Sequence, residues 1–263
     1  MNEMRADKGL AFMLQYENVA WYDAGAVRIL DRRVYPRRVE FVTCRTHVEV
    51  MQAMQRPADK IAFGFQNNGG RRENGQVISV HAGIGMTVGG ATAPLSGTFR
   101  QRLQAAFAGV KYKLTFYSDM DEWLKCHLAL ILPVCYVCYA CNGDLTKATA
   151  EQRKLMLDAA WEGCMMLKAA GVPVNDAENT SYYEACTPGR KKMDRMMLMM
   201  TKTPLGRLCA SDHAMHAVEE MHYHDEAFEA IRATTRTAMP AWDTLRNEMP
   251  SWKTLLLRSK HRV

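Results

Sequence analysis

The stretch that decides the fold is residues 121–145, which read DEWLKCHLALILPVCYVCYACNGDL. No residue from Leu128 to Cys141 is charged, and the one strong helix disruptor in that run is Pro133. Such a run predicts a buried element, because it is shorter than the ~20 apolar residues that cross a bilayer. Lys125 comes one turn before the run, where solvent is expected to meet the core. Its stem can lie along apolar surface, or it can be an acid whose pKa is lowered by burial.

Length and composition indicate a soluble globular protein. The 263 residues suffice for one large domain or two modest ones, and 48% of them are apolar and 24% charged. The first ten residues are polar and charged, so neither a signal peptide nor a membrane span is predicted. Eight cysteines without regular spacing indicate reduced thiols, and hence a cytoplasmic location.

Positive charge is concentrated in the N-terminal half. The net charge is +6, and between Asp31 and Arg72 there are nine Lys and Arg residues against four Asp and Glu residues. Such a patch can bind nucleic acid, bind the phosphate of a cofactor, or form a solvated surface. Aromatic residues do not alternate with these cations as in single-stranded nucleic-acid binders, so no nucleic-acid partner is predicted. A cofactor phosphate near Arg71 and Arg72 and a plain solvated surface both remain open.

The pattern up to Ser118 predicts α/β structure, and the pattern after it predicts helices. The expected α/β elements are strands over residues 39–44, 60–66 and 110–117, a hairpin of residues 77–81 with 85–88, and a helix over residues 47–55. We therefore expect a domain of residues 1–118, with an incomplete Rossmann-like dinucleotide-binding fold, and an all-α domain of residues 119–263.

Capping residues and breakers delimit the predicted helices of the second half. Thr149 and Gln152 form a capping box that opens a helix ending at Gly171. A second helix is predicted over about residues 181–200. Ser211 is the expected N-cap of a third helix, which runs to about Thr237.

The glycines at positions 83, 85 and 89 invite comparison with a dinucleotide-binding loop. Such a loop must follow a strand and open a helix, so that the helix N-terminus faces the pyrophosphate. Residues 86–88 are themselves strand-like, and residues 91–97 are rich in Pro, Thr and Gly. The sequence therefore predicts turn and bulge glycines here.

Three further clusters carry reactive or polarisable side chains, and each has a structural explanation. Cys135, Cys138 and Cys141 repeat every three residues, as in iron–sulfur proteins, but they lie in an apolar helix and are predicted to be core residues. In the segment 211–226, Glu219-x-x-His222 resembles half of a carboxylate di-metal site, and the predicted state of the segment is a solvated or partly paired surface. The methionines of residues 193–200 are predicted to be core, with an adaptable dimer or substrate surface as the alternative. The histidines and carboxylates of the second cluster are His213, His216, Glu219, Glu220, His222 and His224.

Two stretches of the chain resemble the ketopantoate reductase family. The first is residues 63–78, FGFQNNGGRRENGQVI, continuing to residues 87–89; it resembles the strand, arginine-bearing turn and hairpin that follow the family's cofactor-binding core. The second is residues 122–125, EWLK, followed by the apolar helix and residues 142–145, NGDL. It is similar to the start of the family's helical C-terminal domain. The resemblance covers roughly residues 39–235.

The resemblance implies an NADP-dependent reductase of a 2-keto acid. In the family a Rossmann domain binds NADPH, and the keto acid lies between the domains. A lysine in a Trp-x-Lys position protonates the carbonyl oxygen, and Lys125 is the matching residue. A homodimer through the helical domain is also implied. The alternative is a reductase-like protein without catalysis that acts as a dimerisation or small-acid-binding module.

The chain departs from the family pattern at the substrate site and at its start. The family's helix carries asparagines where this chain has Ala129 and Pro133. The family's late glutamate grips the substrate hydroxyls, and Asp212 is the nearest acidic residue here. The N-terminal glycine fingerprint is absent, and residues 1–38 are too short for its strand–helix–strand unit. We expect either an N-terminally shortened relative or a misplaced start codon.

Overall fold

The computed structural model describes residues 10–14, 18–23, 61–66, 69–73, 76–80, 85–91, 93–109, 111–175, 180–203 and 206–260. The strand predicted over residues 39–44 and the helix predicted over residues 47–55 lie outside this part of the chain. Two compact units are formed, one by Met1–Asn68 with Ala82–Trp123 and the other by Gly69–His81 with Leu124–Val263. The first unit is α/β and the second is mainly helical, as the sequence predicts.

The first unit contains a five-stranded sheet. Its strands lie in the order β1-β2-β3-β6-β7, and a separate two-stranded sheet pairs β4 with β5. All neighbouring strands are antiparallel except β6 and β7, which are parallel and place Gly89 opposite Tyr117. The strands are β1 (Leu10–Leu14), β2 (Asn18–Asp23), β3 (Ile61–Gln66), β4 (Gly69–Glu73), β5 (Gln76–Val80), β6 (Gly85–Gly89) and β7 (Lys113–Tyr117).

A helix crosses over between the two parallel strands. Helix α1 (Gly97–Ala106) begins where the Ser96 side chain accepts a hydrogen bond from the Phe99 amide, 3.2 Å away. Phe99 and Leu103 on α1 are buried in one cluster with Val88 of β6. The parallel pair and its crossover helix thus form a βαβ unit, which gives the first unit its α/β character.

The hairpin predicted from residues 77–81 and 85–88 is wrong. Strand β5 pairs instead with β4, and Glu73 lies opposite Gln76. Asn-Gly, the sequence between these two residues, is the strongest two-residue hairpin signal, and it favours the pairing of β5 with β4. All five residues of β6 are buried, which suits a strand inside the sheet.

The glycines of β6 are strand residues rather than the turn and bulge residues that the sequence predicts. A Cβ on Gly89 would collide with the carbonyl oxygen of Tyr117 in the neighbouring strand. A Cβ on Gly85 would lie 2.9 Å from the carbonyl oxygen of Lys113. These two glycines therefore permit the close approach of β7.

The second unit is built on seven described helices. Thr149 and Gln152 form the predicted capping box. The helix predicted from residue 181 begins instead at Pro188, because Thr187 caps it and a proline suits the first helical position. The helices are α2 (Met120–Ala140), whose first residues belong to the first unit, α3 (Ala150–Ala169), α4 (Pro188–Lys202), α5 (Asp212–His216), α6 (Val218–Arg232), α7 (Pro240–Glu248) and α8 (Trp252–Lys260).

Ser211 is not the N-cap of a long helix, so that prediction is wrong. It is in the helical region, with φ −66° and ψ −47°, and its side chain makes no capping hydrogen bond. A π-helix, Arg207–Ser211, runs directly into the short α5. The chain then breaks at Ala217, with φ −111° and ψ 35°, before α6 begins.

Helix α2 lies at the centre of the second unit's core. Ala129, Leu132 and Tyr136 on it are all 0% exposed, so the apolar run is buried as predicted. A Cβ on Gly163 of α3 would lie 3.0 Å from the Ala129 Cβ, so α2 and α3 pack closely there. Among the described residues, α2 is the one helix long and apolar enough to cross a membrane, and 56% of its most apolar stretch is buried in the protein.

Candidate functional site

The N-terminal end of α2 is fixed by three hydrogen bonds from its first amides. The Glu122 amide donates to the Asp119 carboxylate at 2.9 Å, so Asp119 caps the helix. The Met120 and Asp121 amides donate to the carbonyls of residues 90 and 91, at 3.0 and 2.8 Å. The loop after β6 therefore holds the start of α2, and these bonds satisfy amides that would otherwise lack partners.

Trp123 joins this end of the helix to the sheet of the first unit. Its ring lies 5.1 Å from the ring of Phe65 on β3, with the two planes inclined by 51°. Such tilted aromatic pairs add roughly 0.5–1.5 kcal/mol beyond their buried area. The aromatic residue of the Trp-x-Lys pattern thus has a structural role in packing the first turn of α2 within the first unit.

Lys125 lies two residues further along α2, in the second unit, and is half-buried. Helical spacing places it on the same side of α2 as Ala129 and Leu132, both of which are fully buried. The lysine therefore stands where the buried stripe of α2 reaches the surface. An ammonium group in that position can donate a hydrogen bond to a ligand while its stem remains packed.

Ala129, which the resemblance matches to an asparagine of the ketopantoate reductase family, is enclosed by packing. Ala129 is 0% exposed, and the close approach of Gly163 leaves no room for a longer side chain. Pro133, at the second asparagine position, is also buried. Neither position can therefore supply an amide to a substrate beside Lys125.

Asp212 lies beside the C-terminal end of α2, whereas Lys125 lies near the N-terminal end of that helix. Asp212 is the first residue of α5, with a side chain 14% exposed and a carboxylate oxygen 4.0 Å from Nε of Arg207. The residues on either side of it meet the far end of α2: the Cys138 thiol reaches the Ser211 carbonyl at 4.0 Å, and the Tyr139 hydroxyl donates to the Ala214 carbonyl at 2.9 Å.

The distance between these two positions along α2 follows from helix geometry. Thirteen residues separate Lys125 from Cys138, which is roughly 20 Å along the axis at 1.5 Å per residue. The structure therefore does not bring the two residues predicted for the site together. The β4–β5 hairpin, which carries Arg71 and Arg72, packs against the π-helix and α5, at the Asp212 end.

The histidines of residues 211–224 are not simply a solvated surface, and one partner was missed. His213 and His224 are buried, while His216 is exposed. His127 on α2 lies near both buried histidines, and burial together with their like charges lowers its pKa to about 4. The pKa of His213 is also lowered, mainly by burial, although Glu220 acts in the opposite direction.

The sequence signal for this cluster is His127, which comes directly before the apolar run and lies on the same buried helix. Three neighbouring imidazoles and a carboxylate contain the atom types that bind zinc. Across the described ranges, however, no three His, Cys, Asp or Glu side chains are arranged to hold a metal ion.

The cysteine prediction is confirmed for two of its three residues. Cys135 and Cys138 are 3% and 0% exposed, and burial raises the pKa of Cys138 to about 12. Cys141 is half-buried. A thiol with so high a pKa is a poor nucleophile and a poor ligand at neutral pH.

The methionines of α4 are divided between core and surface. Met193 and Met197 are buried, as predicted, and Met199 is 43% exposed beside Leu198, which is 49% exposed. Both predicted uses of the segment therefore keep some support, because one side of α4 packs and the other faces solvent.

A small pocket opens near the C-terminal end of α2. Its volume is about 30 Å³, which is room for about two water molecules. That is too small for a keto acid, so this pocket is not a substrate site. It is lined by Tyr139, Asn142, Met215, Val218, Leu255, Arg258 and Ser259.

Comparisons with known proteins give a likeness of fold. No protein-family model matches the chain, and no curated protein matches it in sequence. Among solved structures, a dimeric ketopantoate reductase from Staphylococcus aureus is similar, with 10% sequence identity and a TM-score of 0.50. The match covers 76% of this chain and 62% of that one, so this chain spans less than two thirds of its length. The fold is thus a Rossmann-like N-terminal part followed by a helical part, as predicted.

Proposed function

We propose that the protein is an NADP-dependent reductase of a 2-keto acid, with Lys125 as the general acid. The observation that carries the proposal is the placement of Lys125. It is half-buried on the helix that follows the α/β unit, two residues after the anchored Trp123, in a fold similar to that of a ketopantoate reductase. The proposed domains are residues 1–118 and 119–263.

In this proposal the lysine supplies a proton where charge develops. Reduction of a ketone adds a hydride to carbon, and the oxygen then gains a proton. An ammonium group beside that oxygen stabilises the developing negative charge and donates the proton, which is general acid catalysis. The hydride is what NADPH supplies when bound. In this proposal Asp212 can contact a substrate only at a position separate from Lys125, because the two residues lie near opposite ends of α2.

The described residues do not form an open cradle for a pyrophosphate. The loop after β6 is followed by a helix, but a Cβ on Gly90 would collide with the chain's own carbonyl at Ala93. The first turn of α1 is already capped by Ser96. Any cofactor contacts therefore fall to other parts of the chain, and we expect weak NADPH binding, because that loop supplies much of the affinity.

The proposed substrate is a small 2-keto acid, and the proposed assembly is a cytoplasmic homodimer formed through the helical part. The test is an NADPH oxidation assay with a panel of straight and branched 2-keto acids, together with a fluorescence titration of NADPH. Turnover of at least one keto acid supports the reductase. Tight NADPH binding without turnover of any member would contradict it.

A second function is favoured by two packing observations. Ala129 leaves no room for the family's asparagine, and the loop after β6 is filled by its own chain. A reductase-like protein without catalysis, acting as a dimerisation or small-acid-binding module, fits both. Binding of a keto acid in the absence of NADPH, with no turnover when NADPH is added, would favour this module.

A further inference from the structure

The outward side of α4 exposes positive charge and large apolar side chains together. Leu198 is 49% exposed and Met199 is 43% exposed, and they are two of the three large apolar side chains that are exposed in the described part of the chain. Exposed cations lie beside them at helical spacing, on the side opposite to the buried Met193 and Met197. We call this side the outer face of α4, and it consists of Lys191, Lys192, Arg195, Leu198, Met199 and Lys202.

The charge of the outer face is not cancelled within its own helix. Asp194 is the one acidic residue of α4, and its carboxylate lies 3.2 Å from Nε of Arg190, a buried guanidinium. Arg190 also pairs with Asp158 of α3, at 2.9 Å. These two carboxylates therefore offset the buried arginine, and the outer face keeps the charges of its three lysines and one arginine.

Contacts near both ends of α4 orient two of these lysines. Nζ of Lys192 lies 5.8 Å from the centre of the Tyr182 ring. The ammonium group of Lys202 donates to the carbonyl of Thr146 and, at 3.3 Å, to that of Ala148. An aromatic ring or a carbonyl oxygen orients an ammonium group without removing its charge. The two lysines therefore add positive charge at fixed places on the outer face.

We propose that the outer face of α4 binds the surface of a membrane that contains anionic lipids. Cations are attracted to the charged headgroups of such lipids, and apolar side chains between the cations enter the boundary of headgroups and acyl chains. Leu198 comes three residues after Arg195 and four before Lys202, so it lies between two cations on one side of the helix. The contact is peripheral and needs no spanning helix. It does not rest on the reductase proposal.

The distribution of charge favours a lipid surface over a protein partner. A two-fold contact uses the same patch on both subunits, so pairing through the outer face would bring Arg195 and Lys191 close to cations of a second copy. In contacts between different proteins, charged residues are depleted from the core of the interface. Arg195, however, lies in the middle of the outer face. A plane of anionic headgroups can pair with cations at the centre of a patch as well as at its edge.

Sedimentation with vesicles tests the proposal on the full chain. Vesicles of equal parts phosphatidylserine and phosphatidylcholine are compared with vesicles of phosphatidylcholine alone. We expect binding to the first and little binding to the second. Binding should be lost in ~1 M salt, where the screening length falls to about 3 Å. Equal binding to both kinds of vesicle, or binding to neither, would overturn the proposal.

Arg195→Glu changes the charge at the middle of the outer face by two units. One cation near an anionic surface strengthens binding about fivefold, so this variant should bind the vesicles about 25-fold more weakly. Arg236→Glu is the matched control, because Arg236 is exposed in the loop after α6 and the net charge changes equally. Its binding should fall less than about fivefold. Equal losses in the two variants would contradict the assignment to α4. If Arg195→Glu fails to fold, Lys191→Glu is measured in its place.

The double substitution Leu198→Gln with Met199→Gln tests the apolar part of the face at unchanged charge. It should weaken vesicle binding at least about fivefold, because these side chains no longer enter the apolar boundary. Soluble polyglutamate bound as tightly as the vesicles, with no effect of the double substitution, would assign the face to an acidic polypeptide. A dimer in sedimentation velocity that the double substitution dissociates would assign it to a contact between copies. Either result would overturn the proposal.

Discussion

The polar side chains at the two ends of α2 differ in burial and in their surroundings. Near the C-terminal end, Tyr136 and Tyr139 are almost fully buried, and their hydroxyls donate to Asp225 and to the Ala214 carbonyl. Near the N-terminal end, Lys125 is half-buried and lies where the apolar stripe meets the surface. The first arrangement stabilises the fold, and the second leaves a charged group within reach of a ligand.

The C-terminal arrangement centres on a carboxylate with no exposed surface. Asp225 accepts hydrogen bonds from Tyr136 at 2.5 Å and from Nε1 of Trp252 at 2.7 Å, and it is paired with Arg246 at 2.8 Å. The pKa of Arg246 is raised, mainly by its hydrogen bond to Asp225. The comparison teaches that the buried carboxylate of Asp225, which α6 contributes beside α2, has a set of structural partners, whereas Lys125 is a half-buried charge near the surface.

The largest expected effect comes from replacing Lys125, near the N-terminal end of α2. If the protein is the proposed reductase, Lys125→Ala removes the proton donor that acts as charge develops on the keto oxygen, so kcat should fall about 10²- to 10⁴-fold. Steady-state kinetics of NADPH oxidation measures this. NADPH binding and the thermal midpoint should change little, because a half-buried lysine contributes little packing.

Lys168→Ala is the matched control, since Lys168 is also a half-buried lysine on a helix of the second unit. It should keep the wild-type kcat. Equal activity in the two variants, or a large loss of stability on replacing Lys125, would assign Lys125 a structural role and favour the non-catalytic module.

The next largest effect comes from replacing Asp225, which bonds to Tyr136 near the C-terminal end of α2. Asp225→Ala leaves the Arg246 guanidinium and the Tyr136 hydroxyl without their buried partner, and the free energy of unfolding should fall by ~3–5 kcal/mol. Chemical denaturation measures it. Asp243→Ala removes a comparable two-point pair with Arg232 whose Asp side chain is 46% exposed, so it should cost no more than ~1 kcal/mol. Similar losses in the two variants would remove the distinction between buried and accessible charges.

A smaller effect on stability is expected from replacing Ala129, in the middle of α2. Ala129→Asn introduces the asparagine that the resemblance to ketopantoate reductases implies at this position, but the Gly163 contact has no room for it, and we expect a loss of ~1–3 kcal/mol in stability. Ala230→Asn on the exposed side of α6 should cost at most ~0.7 kcal/mol, through helix propensity alone. Restored keto-acid turnover in Ala129→Asn, without loss of stability, would contradict the packing argument.

The smallest effect concerns an end of a neighbouring helix. Thr149→Ala removes one half of the capping box that starts α3, and the thermal midpoint should fall by an amount that corresponds to ~1 kcal/mol. Thr244→Ala, whose exposed hydroxyl bonds only to a carbonyl within its own helix, should stay within ~0.5 kcal/mol of the wild type. A Thr149→Ala variant as stable as the wild type would show that α3 depends on tertiary packing alone.

The sequence by itself determined the features that rest on local patterns. The uncharged run from Leu128 to Cys141 identified the central helix, because fourteen such residues strongly favour a buried element. The capping box at Thr149 located the start of α3, since both of its hydrogen bonds join residues three apart. The order of an α/β part and then a helical part followed from the change of hydrophobic period near Ser118.

Only the tertiary structure decided which distant residues meet. Asp212 lies near Cys138 instead of near Lys125. The pKa of His127 is lowered mainly by burial, and further by two histidines that are more than eighty residues away along the chain. These outcomes depend on helix packing and on burial, which act between residues of large sequence separation and leave no periodic signal in the sequence.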